Sequence, residues 1–263
     1  SSDVCSSDLP KDAPKVRYQR YYAEKLHIPL HDNLRDVCAA AHVHARLGEW
    51  TSPLGKRVRT DGERFVPLHI WRTPSFQTWY GNLLQAGNRL DKATVEWVFR
   101  VGANQQFILF WTLHVDIYIT AENRHKTNEV VIARPDISTI LLYERRVPVS
   151  DSRIVIVKEF RSPVSNKDGY VYELAGGSSW KANQDPIKIA VDECSEEVGL
   201  TLPSDRFVQH QARQLAATAV TYRAHLFSAA LTATEMDQVV SNSHVTHGVT
   251  EDSERTWSLV MTY

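Results

Sequence analysis

Four acidic residues, Asp192, Glu193, Glu196 and Glu197, fall within one six-residue stretch. The segment that holds them has the marks of a helix. Pro186 stands where a first turn begins, Asp185 precedes it as a cap, and Gly199 follows as a stop, which predicts a helix over Pro186–Val198. At about 100° per residue, Ile187, Ala190, Val191, Cys194 and Val198 share one face, and Glu193, Glu196 and Glu197 lie on the other. Glu193 and Glu197 are one turn apart, near the helix C-terminus, where the macrodipole disfavours negative charge. A hard divalent cation relieves that repulsion, since Mg²⁺ takes carboxylate oxygens, keeps several waters and binds substrate phosphates as well. The plainer reading is the solvated face of an amphipathic helix. Against it stands Gly176-Gly177, which follows an apolar strand and precedes the helix, so that a phosphate or a metal can approach the backbone unobstructed.

The elements that must position this segment read as short strands around it. Strands are predicted over 138–143, 153–160 and 170–174, near Phe207, over 221–230 and from Arg255, with a short helix from Thr234. That order is α+β and not a repeating βαβ. Earlier in the chain, helical spacing over 32–48 and, more weakly because of Gly81 and Gly87, over 75–90 predicts two helices; 95–101 and 107–120 then read as a strand meander. Residues 1–9, a Ser/Asp mixture, read as a sequencing or expression scar outside the fold.

Composition narrows the function classes. The 263 residues carry 30 Lys and Arg against 31 Asp and Glu, net −1, so no global basic field draws in nucleic acid or an anionic membrane. The run Phe107 to Ile119 is interrupted by His114 and Asp116 and is shorter than the roughly 20 residues of a membrane-spanning helix. Three cysteines without C-x-x-C spacing, and no secretory signal at the start, point to a reducing, cytoplasmic setting. Charge is uneven, +3 up to residue 130 and −4 after it, and five of the seven tryptophans precede residue 130. This predicts an N-terminal extension over 10–130 and a second domain over 131–263.

Together these segments resemble the Nudix hydrolases, whose box is G-x5-E-x7-R-E-U-x-E-E-x-G-U with U a bulky apolar residue. Glu193-Cys194-Ser195-Glu196-Glu197-Val198-Gly199-Leu200 is similar to its second half, with Cys194 standing for U. Glu173-Leu174-Ala175-Gly176-Gly177 and Glu159-Phe160-Arg161-Ser162-Pro163 resemble the stretches ahead of the box in the branch that cleaves ADP-ribose and nucleotide sugars. The resemblance implies a Nudix α/β/α sandwich, a mixed sheet between helices, preceded by a strand-rich extension that in this branch serves dimerisation and hence a homodimer. It implies Mg²⁺- or Mn²⁺-dependent hydrolysis of the diphosphate linkage of a small-molecule nucleotide, releasing a nucleoside monophosphate. Glu193 and Glu197 would be metal ligands, Glu196 would support them or hold a second ion, and the Gly176 carbonyl would complete the site. Arg161 and Gly177 would face substrate. Read from the residues themselves, Trp180 in the inserted loop could stack on a base or sugar or else cap a core, and Arg223 on a predicted strand could reach a phosphate or else make a structural pairing. A late-loop glutamate would act as general base, here Glu254, with Glu251 next in line. Family members continue into a helix beyond the last strand, which implies truncation after Tyr263.

Two box positions depart from the pattern: Asp192 stands where the arginine would be and Gln184 where the first glutamate would be, and Gly177 lies one residue too far ahead. In the family those two residues brace the loop against the helix. Their joint replacement opens a second reading, a catalytically impaired nucleotide-binding or sensor module. Other constellations carry less. His42 with His44, and His244 with His247, have no zinc-site spacing, Gly176-Gly177-Ser178-Ser179 lacks the nucleophile-elbow pattern, and Cys194 falls on the apolar face.

Overall fold

The computed structural model describes residues 59, 61–102, 105, 107–179, 184–248 and 254–262. The helix expected over 32–48, the segment 1–9, Trp180 and Glu251 lie outside the described residues. The chain divides into two compact units, Ser1–Arg134 with Ala216–Thr221, and Pro135–Leu215 with Tyr222–Tyr263. No helix among the described residues is long and apolar enough to cross a membrane.

In the first unit a short helix α1 (Leu68–Trp71) leads to α2 (Pro74–Gln85), which starts at Pro74 because the Thr73 side chain accepts the Phe76 N–H. Gly87, at φ +75°, turns the chain out of the helix, so Arg89 and Leu90 begin a strand instead of continuing α2 to residue 90. Strands β1 (Arg89–Val101), β2 (Phe107–Ile119) and β3 (Arg124–Ala133) form an antiparallel meander. Their inward residues Leu90, Leu113, Val115 and Trp111 bury against Phe76 and Tyr80 of α2. Residues 216–221 join this unit through Ile132, whose N–H donates to the Ala219 carbonyl and whose carbonyl accepts from Thr221. That pairing is why the later strand starts at Arg223 and not at Thr221.

The second unit is α+β. It comprises β4 (Ile137–Glu144), β5 (Arg153–Phe160), β6 (Tyr170–Glu173), β7 (Ala175–Gly177), α3 (Pro186–Val198), β8 (Val208–Gln209), β9 (Arg213–Gln214), β10 (Arg223–Ala230), α4 (Ala233–Ser241) and β11 (Thr256–Thr262). The sheet order is β11-β5-β4-β10-β8, with β6 beside β5, β7 beside β4 and β9 beside β10. It is mixed, because β10 runs parallel to β4 while the other pairs are antiparallel. Register places Ile140, Leu142, Val155, Val157 and Phe227 on one face, and Ala190, Cys194 and Val198 of α3 bury into the same core as Met236 and Val239 of α4. Among the described residues, helical cover therefore lies on this one face of the sheet.

Candidate metal centre

Helix α3 is fixed at both ends. Asp185 accepts the Ile187 N–H at 3.1 Å, and the Ser138 hydroxyl on β4 donates to the Pro186 carbonyl at 2.7 Å. At the other end Gly199 takes the left-handed conformation, φ +72°, and its N–H and that of Leu200 return to the last turn. The Gly248 N–H donates to the Glu196 carbonyl, so the late loop is tied to the same turn.

Glu197 departs from the helical-wheel expectation. It is buried, with 2% of its surface exposed, because strand β7 covers it and the Gly176 N–H donates to its Oε2 at 2.7 Å. Burial is the largest influence on this carboxyl; Glu193, Glu254 and Glu159 add to it and the Gly176 bond opposes it, leaving the pKa pushed up to about 9. Gly176 thus meets this acid through its N–H. Gly176 has to be glycine, since a Cβ there would stand 2.2 Å from the Ser138 carbonyl oxygen, while at Gly177 a Cβ would meet the Glu193 carboxylate.

Three carboxylates converge from three elements. Oxygens of Glu159 on β5, Glu197 on α3 and Glu254 ahead of β11 all lie within 4.8 Å of one another. Glu159 is 6% exposed, and burial raises its pKa against the opposing pull of Arg161. Arg161 Nη2 stands 2.6 Å from Glu159 Oε2 and 3.7 Å from Glu254 Oε1. Two hydroxyls on the same sheet face, Thr256 Oγ1 and Ser258 Oγ, are fully buried without a hydrogen-bond partner.

The structure therefore brings Glu197, Glu254 and Arg161 together, with Glu193 against Gly177 beside them. Glu196 is exposed and outside the trio, although its backbone carbonyl anchors the late loop. Arg223 is exposed at the start of β10, and its backbone N–H donates to Asp136. Gln184 and Asp192, the two departures from the box, meet each other: the Gln184 amide donates to Asp192 Oδ2 at 3.1 Å. An amide-to-carboxylate hydrogen bond spans the two positions where the resemblance implies an ion pair. Glu159 is the member that sequence reasoning left unassigned. Its signal was strand alternation, since Glu159 follows Val155 and Val157 at the spacing of the buried face and so places a carboxylate in the core.

No family model matches this sequence, and no curated protein is significantly similar to it.

Proposed function

We propose that this chain is a Nudix-type hydrolase that cleaves the diphosphate linkage of a nucleoside diphosphate derivative such as ADP-ribose or a nucleotide sugar, releasing a nucleoside monophosphate. The observation that carries the reading is the convergence of Glu159, Glu197 and Glu254 within 4.8 Å, with Glu193 one turn from Glu197. The donor set fits Mg²⁺ or Mn²⁺: it is all carboxylate oxygen, without sulfur or imidazole. Its charge is undercompensated as well, since Arg161 is the one cation paired with the trio among the described ion pairs. Glu159, Glu193 and Glu197 would hold the ion. Once bound, such an ion neutralises a diphosphate and acidifies its water.

The remaining roles fall to this chain's own groups. Glu254, less buried than its two neighbours and carried by the late loop, takes the proton from the attacking water. Arg161 stands at the rim, where a guanidinium can meet a phosphate oxygen. Glycine at 176 and 177 lets the strand edge approach both helix and substrate. The mixed sheet, strand β7 and the capped acidic helix support the Nudix fold as the finer reading, with the described helices covering one face of the sheet where the sandwich has two covered, and a homodimer through the first unit belongs to the same proposal.

The test is a panel of diphosphate-linked nucleotides assayed with and without Mg²⁺. Mg²⁺-dependent release of a monophosphate is expected, with Glu254→Gln lowering turnover by about 10² to 10⁴ and leaving substrate binding little changed. Tight binding without turnover would assign the chain to the sensor reading, with the Gln184–Asp192 hydrogen bond, in place of an ion pair, as its cause.

A further inference from the structure

Side chains on directly opposed residues of an antiparallel pair lie on the same sheet face, with Cβ atoms about 4.5–5.5 Å apart. By that rule three polar side chains form one row across the second unit. Glu159 of β5 is opposed to Thr256 of β11, and Thr256 is opposed to His247, with which it exchanges both backbone hydrogen bonds at 2.9 Å. Thr256 Oγ1 and His247 Nε2 are buried without a hydrogen-bond partner, while Glu159 Oε2 faces the Arg161 guanidinium at 2.6 Å. Thr256 is 0% exposed, as is Ser258, the next residue on that face. The far end of the row touches the acidic helix, because the His247 ring lies against Gly199, where an added Cβ would stand 2.7 Å from its Cε1.

Leaving a buried hydroxyl unbonded is costly, and a valine of the same shape avoids that cost. A threonine kept at such a place therefore has a use beyond packing. The carboxylate opposed to it is Glu159, which the hydroxyl does not bond directly in this structure and would reach by a turn of its side chain or through one bridging water.

We propose that Thr256 is a positioning residue of the carboxylate site: its hydroxyl donates to Glu159 and keeps that carboxylate turned toward Glu197 and Glu254, with His247 closing the row against the helix end. The inference rests on the metal-site reading above. Groups that hydrogen-bond a ligating side chain commonly set metal affinity by 10–100-fold.

The test is Mn²⁺ titration of the full chain, by electron paramagnetic resonance of the free ion, on wild type, Thr256→Val, Thr256→Ala and Thr256→Ser, with thermal midpoints measured alongside. The expected result is wild-type binding, a 10–100-fold loss of affinity in Thr256→Val without a lower midpoint, and recovery to within about 2-fold in Thr256→Ser. Equal affinity in wild type and Thr256→Val overturns the role of Thr256 while leaving the site standing. Loss of fold in both Thr256→Val and Thr256→Ala overturns it too, since the hydroxyl would then be structural. Absence of Mn²⁺ binding in wild type overturns the metal-site reading itself.

Discussion

At the scale of single residues, Glu197 carries the most consequence. A helical wheel puts it with Glu193 and Glu196 on a solvated face, but the chain of β7 closes over it and leaves a carboxyl whose pKa burial pushes up to about 9. The sign of the linkage follows. A carboxyl whose folded pKa is raised binds its proton more tightly folded than unfolded, so its contribution is full below the unfolded pKa and is lost as pH climbs through the folded one. The chain in chelator should lose stability between about pH 4.5 and pH 9, and added Mg²⁺ or Mn²⁺ should restore it most at the alkaline end. Thermal midpoints across that range, with and without the ion, check this; a flat profile that the ion leaves unmoved would refute it. Glu197→Gln should flatten the same profile. Gln184 and Asp192 make a second prediction, because they touch. Installing the residues of the Nudix pattern as Gln184→Glu with Asp192→Arg should couple non-additively in a double-mutant cycle, by about 0.5–3 kcal/mol. Strict additivity would mean that the contact is energetically silent.

At the scale of elements, α3 was legible almost to the residue because its boundaries are local chemistry: a capping aspartate, a proline in the first turn and a left-handed glycine. Strands β5 and β10 were legible from β-branched and aromatic content. The partners of those elements were not. Glu159 reaches Glu197 through sheet order and the β5–β11 register, which no local pattern encodes, and the reassignment of residues 216–221 depends on Ile132 far earlier in the chain. Arg161 and Glu254 were reached only through the resemblance. The end of α3 also offers an element-scale prediction. Gly199→Ala forces a side chain into the left-handed conformation and against His247, and should destabilise the chain by about 1–2 kcal/mol. Chemical denaturation measures this, and an unchanged midpoint would contradict the packing of the late loop on the helix end.

At the scale of the whole molecule, two cores form on one chain: an aromatic one around Phe76, Tyr80 and Trp111, and an aliphatic one around Ile140, Leu142 and Phe227. The carboxylate trio belongs to the second and is assembled from segments near residues 159, 197 and 254, so it exists only when β5, α3 and β11 are packed together. Chemistry on a diphosphate is the account's central claim, and one measurement reaches it most directly: the rate of AMP release from ADP-ribose as a function of free Mg²⁺, for the full chain and for Glu197→Gln. The account predicts a rate that rises with Mg²⁺ and saturates in wild type, and no Mg²⁺-dependent rate in the folded variant. Turnover that persists in chelator, or that Glu197→Gln leaves intact, would contradict it.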